Sequence, residues 1–78
     1  MSRLLSLVVN ETGFAFDPMG GESFTINHVG RETIELIRQG RELEEIVEEI
    51  SGRYEAPFEE VYTDILEFLE KLRVYSLL

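Results

Sequence analysis

The sequence predicts an α+β domain in which strands come first and helices follow, and three observations carry that reading. The chain has 78 residues, enough for a single domain over 1–78 with a modest core. Its charge is split: residues 1–41 hold five acids and four bases, residues 42–70 hold eleven acids and one base, and residues 71–78 hold two bases. Apolar residues alternate in the nearly neutral first half and recur at helical spacing in the acidic second half.

The first strand is expected over Leu4-Leu5-Ser6-Leu7-Val8-Val9, an aliphatic run that stops at the turn formers Asn10-Glu11-Thr12-Gly13. Phe14 and Phe16 flank Ala15, and Phe24 and Ile26 flank Thr25, across Asp17-Pro18-Met19-Gly20-Gly21, which predicts a β-hairpin. Asn27 suits a helix N-cap, and Val29, Thr33, Leu36 and Ile37 share one face of a helix over 28–39 that Gly40 ends. In a second helix Leu43, Ile46, Val47, Ile50 and Tyr54 form the apolar face, and Glu44, Glu45, Glu48 and Glu49 form a solvated one. Pro57 fits the first position of a third helix reaching Arg73 or Val74, with Glu59 and Glu60 at its positive end and Lys71 and Arg73 at its negative end.

Composition narrows the function. Hydrophobic content of 44% is too high for a disordered chain, and the absence of cysteine removes disulfides and thiolate metal sites. The apolar start MSRLLSLVV is interrupted by Asn10 and Glu11 before it could serve as a membrane span or signal core, so a cytoplasmic protein without membrane contact is expected. The net charge of −9 opposes nucleic-acid binding, which needs a basic surface.

Catalytic groups are scarce. The one histidine, His28, sits beside a helix cap, where a solvated or capping role outweighs general-base work. No serine lies in a nucleophile elbow, and Gly20-Gly21 belongs to a hairpin turn rather than a phosphate loop. Pairs such as Glu44/Glu48 and Glu45/Glu49 are routine on helices, so neither a metal nor a cofactor is expected.

The third helix is more informative. Phe58, Val61, Ile65, Phe68 and Leu72 already make a complete core seam, yet Tyr62, Leu66, Leu69 and Arg73 form a second stripe beside it. Either both stripes are buried in a central helix, or the second lines a groove open to a partner. The hairpin raises the same question, because Glu22-Ser23-Phe24-Thr25-Ile26 lacks the lysine, proline or bulge that blunts an edge strand and could accept an added peptide strand.

In order and spacing, these pieces resemble the PqqD-like family, whose domain is also called a RiPP recognition element. The matching residues are Asp17-Pro18, Gly21, Phe24, Ile26-Asn27, Val29-Gly30, Glu35-Leu36-Ile37, Gly40-Arg41, Glu44-Glu45-Ile46, Tyr54, Val61, Asp64-Ile65-Leu66, Phe68-Leu69 and Leu77-Leu78. The resemblance implies a three-stranded antiparallel sheet followed by a three-helix winged-helix-like bundle that is not an enzyme. It also implies binding of the leader segment of a ribosomally made precursor peptide, by strand addition, and presentation of that leader to a modifying enzyme such as a radical-SAM protein. Carried over to this chain, the peptide-binding residues would be Ser23, Phe24, Thr25, Tyr62, Leu66, Leu69 and Arg73. The chain departs from the pattern at Ile34, Glu42, Ala56 and Ser76, where the family often has tryptophan, threonine or serine, aspartate and glycine. Of these, Glu42 and Ala56 stand where helix caps are expected.

Two other readings compete. A winged-helix DNA-binding module has the same parts, but its reading helix would carry Glu59, Glu60, Asp64, Glu67 and Glu70 against Lys71 and Arg73, which repels phosphate. A docking subunit of an enzyme complex would share the groove and need no free peptide. A test of the local reading is Glu42→Thr, which should complete a capping box with Glu45 and stabilise the chain by roughly 0.5–1 kcal/mol in denaturant midpoints. An unchanged or lowered midpoint would mean that residue 42 does not cap.

Overall fold

The computed structural model describes residues 4–77, with the side chain of Leu5 left aside; Leu78, which contributed to the resemblance, lies outside the described residues. A single 3-10 turn, Leu4–Ser6, leads into β1 (Val8–Val9), β2 (Phe14–Asp17) and β3 (Glu22–Thr25), then α1 (His28–Arg38), α2 (Leu43–Tyr54) and α3 (Phe58–Val74). The strands form one antiparallel sheet in the order β1-β2-β3, so the domain is α+β with its sheet ahead of its helices, as expected.

The expected first strand is only two residues long, and the reason is spacing. Leu4 and Leu7 are both buried, and an extended chain would send residues three apart to opposite faces. The 3-10 turn puts them on one side, closed by the Leu7 N–H donating to the Leu4 carbonyl at 3.3 Å. Arg38, at the end of α1, fastens this turn by donating from Nη2 to the carbonyls of Leu4, at 3.3 Å, and Leu7. In β2 the small Ala15 faces the core and is fully buried, while Phe14 and Phe16 point to the outer face and are 54% and 44% exposed.

Two apolar clusters make the core. Leu4, Leu7, Ala15, Ile34, Leu72 and Leu77 gather under the sheet, and Leu36, Ile46, Val47, Ile50, Val61 and Ile65 gather among the helices. Ile37 and Leu69 pack against both. Two expected core residues fall outside: Phe58 is 41% exposed at the start of α3, and Tyr54 is 45% exposed at the end of α2. Ile34 is fully buried in the sheet-side cluster, so an aliphatic side chain takes the place that tryptophan often fills in the family.

Asn27 caps α1 as expected, its Oδ1 accepting from the Gly30 N–H at 2.8 Å. Residue 42 is the N-cap of α2, where Glu45 reaches back to accept from the Glu42 N–H at 3.0 Å. Pro57 is the N-cap of α3 rather than its first helical residue, and Ala56 lies one place before it, half-buried against the helical cluster. The cap expected at position 56 is therefore not there.

All three helices end in one motif, in which a left-handed residue lets the following amide turn back to the last turn of the helix. After α1, Gly40 (φ 82°) donates to Ile37 and Arg41 donates to Leu36; after α3, Ser76 (φ 61°) donates to Arg73 and Leu77 donates to Leu72. After α2, Glu55 (φ 51°) takes the left-handed place and Ala56 donates to Ser51. The departure at Ser76 thus has a definite location, since glycine fits the left-handed region without the Cβ clash that costs other residues about 1–2 kcal/mol. Ser76→Gly and Glu55→Gly should each stabilise the domain by about 1 kcal/mol, read as a higher melting temperature. Lowered melting temperatures would show that side-chain contacts at 55 and 76 outweigh the backbone strain.

Candidate functional site

β3 is an outer strand of the sheet, so among the described residues one of its edges has no neighbouring strand. The pairing decides which backbone groups lie on that edge. The Ile26 N–H donates to Gly13 at 2.7 Å, and the register sets Phe24 opposite Ala15, so residues 22, 24 and 26 address β2. The N–H and C=O groups of Ser23 and Thr25 therefore point outward, and their side chains join Val8, Phe14 and Phe16 on the uncharged outer face of the sheet.

Phe24 turns the other way, toward α3, and its ring stacks on Tyr75 with centroids 4.9 Å apart and planes 14° apart. Here β3 and the last turns of α3 enclose a cleft of about 560 Å³, walled by Phe24, Thr25, Phe68, Lys71, Leu72 and Tyr75. A second cleft of about 410 Å³ runs on between α1 and α3 and shares Asn27, Phe68 and Lys71 with the first. The two make a continuous trough along α3. Gly30 lies at its floor, where a Cβ would meet the Phe68 ring at 3.0–3.1 Å, tighter than an ordinary contact, so a side chain there would press the ring aside.

The structure divides the residues expected to bind peptide. Phe24 and Thr25 wall the cleft, and Ser23 adjoins them on the open edge. Tyr62, Leu66, Leu69 and Arg73 do not wall it. At 100° per residue they lie on one flank of the seam formed by Val61, Ile65 and Leu72, whereas Phe68, Lys71 and Tyr75 lie on the other. Tyr62 leans on the helical cluster and stacks with Phe58 at 6.1 Å, Leu69 joins the two clusters, Arg73 pairs with Glu70 at 2.9 Å, and Leu66 is 40% exposed. The wall residues Phe68, Lys71 and Tyr75 were missed as a site because Phe68 reads as core and Lys71 as a dipole partner. A signal was present, since 64, 68, 71 and 75 also recur at three- and four-residue steps.

An open strand edge beside an apolar cleft suits an extended chain, whose backbone is satisfied by the edge and whose alternate side chains enter the cleft. His28 is exposed at the start of α1, and no group of three or more metal-ligating side chains occurs among the described residues. Shifted titrating groups lie elsewhere, in a network that ties α1 to α2. Arg53 pairs with Glu32 at 2.5 Å and with Glu49 at 3.1 Å, Arg41 also pairs with Glu49 at 3.1 Å, and the Tyr54 hydroxyl donates to Glu32. Burial works to raise the Glu32 pKa, but hydrogen bonds from Tyr54 and Arg53 and the charges of Arg53 and Arg31 outweigh it and hold Glu32 below its ordinary value. Hydrogen bonds from Arg41 and Arg53 lower Glu49 in the same way.

Fold and site together define a small α+β binding domain with an open strand edge over an α3 cleft. The family model described as coenzyme PQQ synthesis protein D (PqqD) matches residues 9–78, and the chain belongs to the PqqD family. Membership supports a biosynthesis-related, partner-binding role. No curated protein and no solved structure matches the chain. No helix among the described residues is long and apolar enough to cross a membrane.

The ion-pair network fixes a pH dependence. Glu32 and Glu49 have folded pKa values below their ordinary value of 4.5, so their contribution to stability is present above that pH and is lost as pH falls through the folded values. The double variant Glu32→Gln, Glu49→Gln should be less stable than wild type at pH 7, with a gap that closes as pH falls below 4.5 and narrows in high salt. A gap independent of pH would mean that packing, not charge, makes the difference.

Proposed function

We propose that the chain binds the leader of a ribosomally synthesised precursor peptide by strand addition to β3 and presents it to a modifying enzyme such as a radical-SAM protein. The observation that carries this reading is the open outer edge of β3 directly beside the cleft. The backbone groups of Ser23 and Thr25 supply hydrogen bonds, and Phe24, Phe68, Leu72 and Tyr75 receive alternate apolar side chains of the peptide. Cytoplasmic leader binding by a non-catalytic partner needs no metal or cofactor.

A second, docking face is favoured by one observation: Phe58 and Leu66 stay exposed on the flank of α3 away from the cleft. In this reading Tyr62, Leu66, Leu69 and Arg73 meet the enzyme that receives the leader, so the peptide and the enzyme occupy opposite flanks of one helix.

The test uses a fluorescent ten-residue peptide with alternating leucine and serine, and a copy N-methylated at alternate amides so that it cannot pair as a strand. The unmodified peptide should bind and shift amides of residues 22–26 and 64–75, while the methylated copy should not bind. Thr25→Pro removes one outward N–H from an edge strand, where proline is tolerated, and should weaken binding about tenfold, roughly 1.4 kcal/mol, with the fold retained. Phe68→Ala should also weaken binding, and Leu66→Ala should leave peptide affinity within about twofold while costing well below the 2–5 kcal/mol of a core leucine. Equal binding of the two peptides would refute strand addition. A loss of about 5- to 30-fold with Leu66→Ala would return the second stripe to the peptide site.

A further inference from the structure

We infer that the α1/α3 arm of the trough is a subsite for a lysine or arginine side chain of the bound peptide, one that follows the part paired with β3. This inference rests on the strand-addition reading and adds a charge requirement to it.

The first ground is length. β3 has four residues, and a strand rises about 3.3 Å per residue, so a longer peptide runs past the end of β3 along the trough. The second cleft is the space it meets, since the two clefts are continuous at Asn27, Phe68 and Lys71.

The second ground is the lining. Val29, Ile65 and Phe68 give the arm an apolar floor, opened by the missing side chain at Gly30, and Asp64 and Glu67 stand at its rim. Among the described residues, neither Asp64 nor Glu67 has an ion-pair partner, whereas Glu32, Glu49 and Glu70 do. An apolar floor under an acidic rim suits a side chain with a methylene stem and a cationic head. The −10 carried by residues 42–70 adds to the attraction.

The third ground is polarity along the trough. Lys71 stands where the clefts join, and Asp64 lies seven residues earlier on α3, about 10 Å along the helix axis. That distance is spanned by about three extended residues. A cation three residues beyond the point that passes Lys71 would reach Asp64 and avoid the lysine, whereas an acid there would meet unpaired carboxylates.

The experiment uses the leucine-serine probe extended by three residues and ending in lysine, norleucine or glutamate, made in both directions because the strand can add in either. In one direction the lysine form should bind at least fivefold tighter than norleucine, and glutamate should bind more weakly than both. In Asp64→Asn, Glu67→Gln, two exposed positions, the lysine advantage should vanish while the norleucine peptide keeps its wild-type affinity. Equal binding of lysine and norleucine forms to wild type would overturn the subsite. An advantage that survives the double variant would also overturn it, by assigning the preference to general attraction to an acidic protein. Failure of all three peptides to bind would instead overturn strand addition itself.

Discussion

The structure depends on α3 serving both halves of the core. Ile65 is buried among the helices, Leu72 is buried under the sheet, and Leu69 between them touches both clusters. A chain of this size cannot bury two independent cores, so one helix of 17 residues is shared: its first half holds α1 and α2, and its second half holds the sheet. The cleft follows from this arrangement. The sheet meets α3 through Phe24, Ile26 and Ala15, and the Phe24–Tyr75 stack bridges β3 and the end of α3 beside the cleft.

Much of the fold was legible in the sequence because each signal was local. The hairpin at Asp17–Gly21, the Asn27 cap and the Gly40 stop depend on backbone chemistry within a few residues, and each sits where expected. The first strand is shorter than expected because an aliphatic run ended by turn formers reads as extended, whereas Leu4 and Leu7 are buried three residues apart in a turn held by Arg38, 31 residues away from Leu7. Tyr54 and Phe58 kept the helical period but fell where α2 and α3 leave the core, a boundary that periodicity does not mark.

The candidate site was half legible for a related reason. That β3 would have an unguarded edge could be read from its residues alone. Which flank of α3 faces that edge could not, because flanking stripes at three- and four-residue spacing exist on both sides of the seam. The choice is made by the rotation of the helix, which the buried seam of Val61, Ile65 and Leu72 fixes, and Gly30 leaves room for the Phe68 ring close against α1. A resemblance that matched residues in order identified the family, but order along the chain carries no information about rotation around a helix.

The charge distribution acquires a physical meaning once the flanks are separated. Strand addition is indifferent to sequence in its backbone bonds, so an open edge would accept many extended segments, its own copies included. A chain with net charge −9 repels its own acidic helices, which weighs against pairing between copies. Under the proposed strand addition, selectivity would come from side chains beside the edge, and these are apolar at Phe24, Phe68 and Tyr75, basic at Lys71 and acidic at Asp64 and Glu67. The trough thus joins an open edge to walls of different character, and under the proposed strand addition those walls would discriminate by the order of side chains in the incoming strand.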